Sequence, residues 1–334
     1  CAVFDQLSED GATWCVVGQT ESLPESPTGD IDIVLAADDA ARATDLVDGI
    51  CERIQGRVVQ CLRHETGAYY YVVAILAEAG QHQYLTLDFC SDYVRGGCLL
   101  LEAQEILAGR RRAHAPDGDE KCFFVASAHM EFIYYLLKKI DKGELSDQHA
   151  AHLTSVYRLA PSEARVQIDR FFGADRRETL IAAAACGDWS NVQGDLAGFQ
   201  RNLRRRLRWS RVTGWARDSE RVIARVLKPT GLHVVILGPD GSGKSSVADL
   251  LVSSVAPAFR RVRRFHLFPT AHRDRDGSAP IESPHLVPPR GLPGSVAKIG
   301  YWGVLYSVGW LGILYPAKCR STLLAFDRYY HDLL

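Results

Sequence analysis

Gly238, Gly241 and Gly243, followed at once by Lys244 and Ser245, are the residues whose types and spacing most directly imply chemistry. They read G-x-x-x-x-G-K-S, the spacing of a phosphate-binding loop. The glycines allow a backbone curl that points several N–H groups at one centre. Lys244 would set a positive charge on the outer phosphates, and Ser245 would offer a hydroxyl to Mg²⁺. Asp240, Ser242 and Ser246 stand in or beside the loop and join the candidate nucleotide contacts. The same string also suits a plain Gly/Ser turn before a helix. Context favours the loop: the apolar run Val234–Leu237 predicts a strand before it, and Lys244–Val255 has a helical pattern after it. The positive end of that helix would add to the field on a phosphate.

A second set is acidic. Asp30 and Asp32 alternate with apolar residues in Asp30-Ile31-Asp32-Ile33-Val34-Leu35, which puts both on one face of a strand. Asp88 sits in a later strand-like run, Leu85–Phe89. Carboxylates clustered in this way suit a pair of Mg²⁺ ions that align an attacking oxygen with a nucleotide phosphate. The other reading of Asp30 and Asp32 is as solvent-facing strand residues. A further acid, Asp327, is delivered with Arg328 at the end of the apolar run 321–326. In an open parallel sheet that edge is where ligands bind.

The elements that must position these residues follow in order. Strands are expected at Thr13–Val17, Asp30–Leu35, Arg57–Leu62, Ala68–Ala77 and Gln83–Phe89. A helix is expected over Asp38–Arg53, capped by Asp38 or Asp39. From Ala126 to Leu227 the pattern is helical, with helices near 126–140, 147–158, 162–172, 178–185 and 191–208. Pro229-Thr230-Gly231 marks the next boundary, and core strands are expected at 233–237, 262–267 and 322–326. The fold class is therefore α/β and multidomain. An α+β domain spans residues 1–120, a helical region with an Arg-rich linker 121–227, and a parallel α/β domain with three of its strands 228–334.

Several features carry less chemistry. His149 and His152 are three apart on a helix and read as a surface face rather than metal ligands. Tyr134 and Tyr135 read as core. Six arginines crowd residues 201–211, where a solvated helix is favoured over an anion-binding patch. Residues 270–294 read as a long functional loop. The uncharged run 299–317 reads as a buried helix of the α/β domain; a membrane span there would separate the glycine loop from Asp327 and Arg328. The chain has 334 residues and a net charge of −1, so no global attraction to nucleic acid or membrane is implied. Nine scattered cysteines without a C-x-x-C pair fit a reduced, cytoplasmic setting. The start at Cys1 and the end at Leu334 read as those of a piece of a longer protein.

Two resemblances add to these readings. The strand, the turn at Gly18-Gln19, the Asp30-x-Asp32 strand and the later Asp88 resemble the nucleotidyltransferase fold over about 90 residues. That family usually has Gly-Ser or Gly-Gly where this chain has Gly18-Gln19. Gly238–Ser245 together with Phe326-Asp327-Arg328-Tyr329 resembles the thymidylate kinase-like branch of P-loop kinases, over residues 228–334. The resemblance implies ATP and Mg²⁺ as cofactors and a nucleotide or small phosphate-bearing acceptor, with no specific nucleic acid partner. It gives Lys244, Asp327 and Arg328 catalytic roles: Lys244 on the ATP phosphates, Asp327 organising the metal with Ser245, and Arg328 on the acceptor phosphate. Asp240 would approach the acceptor. The family's acid-Pro-Gly signature is replaced here by His266-Leu267-Phe268-Pro269, which departs from a thymidylate acceptor.

Overall fold

Strict alternation along the early strands builds a two-faced sheet. Helix α1 (Ala2–Glu9) leads into β1 (Trp14–Val16), which pairs antiparallel with β2 (Ile31–Leu35), Cys15 opposite Val34. Trp14, Val16, Ile31, Ile33 and Leu35 face one core, shared with Phe4 and Leu7 of α1. Cys15, Val17 and Val34 face the other. This is the period-two geometry of a strand buried on both sides. The computed structural model describes all residues except 21, 25–28, 66, 77–81, 115–119, 239–241, 266–290 and 327–334. The chain divides into two units, Cys1–Ile223 and Ala224–Leu334.

In the first unit, two helices follow β2, α2 (Ala37–Ala41) and α3 (Ala43–Ile54). The single helix expected over Asp38–Arg53 is thus broken at Arg42. Asp39 is not the cap. Its carboxylate accepts the Thr13 N–H at 2.8 Å and pairs with Arg42 at 2.7 Å, tying the start of β1 to this corner. Then β3 (Gly56–Glu65), β4 (Ala68–Leu76) and β5 (His82–Cys90) form an antiparallel meander, and β5 returns parallel to β2. A hairpin, β6 (Tyr93–Arg95) and β7 (Cys98–Leu101), leads to α4 (Ala103–Leu107), β8 (Arg111–His114) and β9 (Glu120–Val125). The sheet has seven strands in the order β3-β4-β5-β2-β1-β9-β8.

The helical region is not a separate body. Helices α5 (Ala128–Lys142), α6 (Asp147–Leu159), α7 (Pro161–Phe171) and α8 (Ala174–Cys186) share one core with the second face of the sheet. Phe132, Ile133, Leu136 and Leu137 of α5 are all inaccessible to solvent there. Tyr134 and Tyr135 are buried in that core as well. The helix expected over 191–208 is two helices, α9 (Ser190–Gly194) and α10 (Leu196–Arg206), because Asp195 caps the second through the Gly198 N–H. Helix α11 (Arg208–Leu227) then contains the division between the units.

The second unit holds a parallel three-stranded sheet. Strand β10 (His233–Val235) precedes α12 (Lys244–Val255), β11 (Arg261–Phe265) follows, and β12 (Thr322–Phe326) inserts between them in the order β10-β12-β11. The register places Val235 and Phe265 on either side of Phe326. Gly231 admits no side chain: a Cβ there would stand 2.6 Å from Lys318 Cα and 2.7 Å from Thr322 O. The close approach lets Gly231 donate its N–H to Lys318 O at 2.9 Å.

Between β11 and β12 run α13 (Leu292–Gly309), a π-helical turn at Trp310–Leu314 and α14 (Tyr315–Cys319). The expectation of a buried helix at 299–317 is corrected here. Leu314 and Ala317 pack on Leu324 and Phe326, but Ile299, Val304, Val308 and Leu311 are each more than 60% exposed. Among the described residues only the last turns reach the sheet.

Candidate functional site

Asp32 and Asp88 are brought side by side. They are register partners on the parallel strands β2 and β5, so both side chains leave the sheet on the face toward α5. That face supplies Lys138. Its Nζ lies 2.6 Å from Asp32 Oδ2, and both side chains are largely out of solvent. Burial opposes the charge on Lys138. Asp32 at hydrogen-bond distance and Asp88 beyond it outweigh that penalty, and the pKa of Lys138 is raised above the usual lysine value. Burial first, then Asp88 and Asp32, pushes the Cys90 thiol well up. Tyr134 is raised by burial, with Cys90 and Asp32 adding to it.

Asp30 takes a different partner. It precedes β2, is exposed, and accepts the Tyr70 hydroxyl at 2.8 Å. Tyr70 in turn is the register partner of Asp88 on β4. Gly18 follows β1 with φ +95°, a left-handed conformation that favours glycine. A Cβ there would stand 3.6 Å from Asp32 Oδ2, so the turn brings backbone against the carboxylate. The arrangement is a negatively charged pair, clamped by one lysine and edged by a glycine turn.

Among the described residues no group of three or more His, Cys, Asp or Glu side chains could hold a metal ion. The physical reason is partnering. Asp32 is bound to an ammonium group and Asp30 to a phenol. His149 and His152 do not share a surface face. His149 is half-exposed beside Lys139 Nζ at 2.9 Å, whereas His152 is buried 3.3 Å from the buried Glu131 carboxylate. The two point to different environments because α6 packs its His152 side on α5.

The glycine loop is built from backbone. Gly238 lies three residues beyond β10, and Gly243 has φ +81° and leads directly into α12. Lys244 is the first residue of α12 and folds back over the loop, its Nζ donating to Gly238 O at 2.5 Å. A Cβ on Gly238 would stand 3.0 Å from Ser242 Oγ and 3.6 Å from Lys244 Cγ, so a side chain would crowd the cradle. Ser245 and Ser246 are exposed in the first turn, where helix N–H groups have no intrahelical acceptor. These residues fit a phosphate chain with its cation: backbone donors, one ammonium group and two exposed hydroxyls face one end of a helix. Asp240, Gly241, Asp327 and Arg328, and the signature His266–Pro269, lie outside the described residues. So do 270–290 of the expected loop; 292–294 are already part of α13.

Sequence reasoning missed Lys138 and Tyr70. The available signal for Lys138 was a charge at i+4 from Tyr134 within an otherwise apolar helix face, a position that needs a buried carboxylate to face. No protein-family model, curated protein or solved structure matches this chain.

Proposed function

We propose that the second unit binds ATP with Mg²⁺ and transfers a phosphoryl group to a nucleotide or related small phosphate acceptor. One observation carries the reading. The strand that leads into the glycine loop, β10, lies next to β12, and Val235 and Phe326 end the two strands in register. In sequence, Gly238 comes three positions after Val235 and Asp327 one position after Phe326. Open parallel sheets bind ligands at the carboxyl ends of their strands.

In this reading Lys244 leaves Gly238 O for the phosphate chain, and the first-turn N–H groups of α12 hold it. Ser245 and Asp327 would hold Mg²⁺, whose charge offsets that of the transferring group when bound. Gly241, Ser242, Gly243 and Ser246 line the cradle. Asp240 and Arg328 would meet the acceptor, as the kinase resemblance implies. Catalysis would be positioning more than covalent chemistry.

The test is ADP formation by the full chain with ATP, Mg²⁺ and a panel of nucleoside monophosphates. Acceptor-dependent ADP that disappears in Lys244→Ala supports the reading. A second reading, nucleotidyl transfer at Asp32 and Asp88, is favoured by their register beside Gly18. Pyrophosphate release that survives Lys244→Ala and disappears in Asp88→Asn would move the chemistry to the first unit.

A further inference from the structure

The net charge of −1 hides a division. In sequence, Ala224–Leu334 carries fourteen Lys and Arg against seven Asp and Glu, and Cys1–Ile223 carries twenty-five against thirty-three. The second unit is therefore strongly basic and the first strongly acidic. Among the described residues of the second unit Asp249 is the one acid, and it is ion-paired with Arg264.

The same unit exposes its most apolar helix. Leu292 is 80% exposed, Leu311 71%, and Val304 and Val308 64% each. No Asp or Glu occurs from Leu292 to Phe326. Lys298 lies over the Trp302 ring at 4.2 Å, Lys318 lies over Trp310 at 5.5 Å, and these two lysines bound the uncharged run. Arg261 and Arg263 are exposed on β11 and share their face of the sheet with Thr322 and Leu324, the face that Leu314 and Ala317 cover on β12.

We propose that α13 and the basic residues of this unit form a docking surface for an anionic lipid bilayer. Both the apolar helix and the basic residues complement such a bilayer. Apolar area of this kind on a soluble body marks an interaction site. Tryptophan and tyrosine suit the boundary between headgroups and acyl chains, and lysine stems reach from that depth to the phosphates. Basic residues near a surface are drawn to anionic lipid. No helix of the described residues is long and apolar enough to cross a membrane, so α13, about 27 Å long by its rise per residue, lies in the interface. The same face of a second copy would bring like charge against like charge. A nucleic acid would match the charge but leave Leu292, Val304, Val308 and Leu311 uncovered.

The experiment is co-sedimentation of the full chain with vesicles of phosphatidylcholine containing about one-third phosphatidylglycerol, and with pure phosphatidylcholine vesicles. Binding at least roughly tenfold tighter to the anionic vesicles is expected, weakening as salt is raised. The double variant Val304→Glu, Val308→Glu should lose about tenfold in vesicle affinity with its thermal melt unchanged, since both side chains are exposed. Arg261→Glu with Arg263→Glu should flatten the salt dependence. Equal binding by the valine variant and the parent chain would overturn the proposal, as would failure of the parent chain to bind anionic vesicles. In that second case, a dimer by light scattering that the valine variant breaks would assign the face to a second copy. Salt-sensitive binding of duplex DNA would assign the charge to nucleic acid.

Discussion

The acid pair of the first unit and the glycine loop of the second are opposite ways to build a polar site. Asp32, Asp88 and Lys138 come from three elements far apart in sequence, and side chains supply every charge. The loop comes from one stretch, Gly238–Ser246, and its donors are backbone groups at the end of α12. The first kind of site is welded into a core, so altering it alters stability. Ser242, Ser245 and Ser246 of the second are exposed, so altering them is expected to leave the core intact.

That contrast is broken most readily at Asp32. Asp32→Ala removes the hydrogen-bonded partner of the largely buried Lys138, leaves Asp88 to offset its charge from farther away, and should cost about 3 kcal/mol, read from urea unfolding of the first unit. The double variant Asp32→Asn, Lys138→Met should cost less than the sum of its singles. Additive losses would show that the pair is not coupled. Next comes Gly231→Ala, which places a methyl group against Lys318 Cα and Thr322 O. A loss of about 2 kcal/mol is expected, confined to the second unit's transition.

Alkali should separate the units without mutation. Burial pushes the Cys15 thiol from its ordinary value of 9.0 to about 12, with Arg110 opposing and Glu131 assisting. A thiol kept neutral in the fold but ionised in the unfolded chain contributes fully below pH 9.0. That contribution is lost as pH rises toward about 12. Lys138, also raised, adds to the alkaline loss in the same direction. The first unit should therefore weaken across this window in thermal melts, and Cys15→Ala should reduce the slope. The smallest effect on stability belongs to Lys244→Ala. Lys244 is half-exposed, its Nζ bonds to Gly238 O of its own loop, and a change within about 0.5 kcal/mol is expected.

The same contrast explains what the sequence made legible. Spacing alone finds Gly238–Ser245, because a loop built from contiguous backbone leaves its whole record in one string. Alternation finds the face of Asp32, and the later strand finds Asp88, since both signals are local. Lys138 required knowing that α5 lies across β2 and β5, a tertiary fact. Strands β8 and β9 went unread because Arg110, Arg111 and Arg112 interrupt any apolar period before Phe124 and Val125 pair with the sheet. The run 299–317 misled for the opposite reason. Its apolarity is real, but among the described residues only its last turns, Trp310 to Ala317, pack on the sheet. Whole-chain net charge misled as well, by averaging two units of opposite sign.

The most direct measurement is calorimetric titration of Mg²⁺–ATP into the full chain, into Lys244→Ala and into Asp32→Asn. The account predicts saturable binding by the parent chain and by Asp32→Asn. It predicts a loss of about 2 kcal/mol, roughly 30-fold in affinity, in Lys244→Ala at unchanged stability. Binding that is untouched by Lys244→Ala but abolished by Asp32→Asn would contradict it, and would make the acid pair of the first unit the nucleotide site.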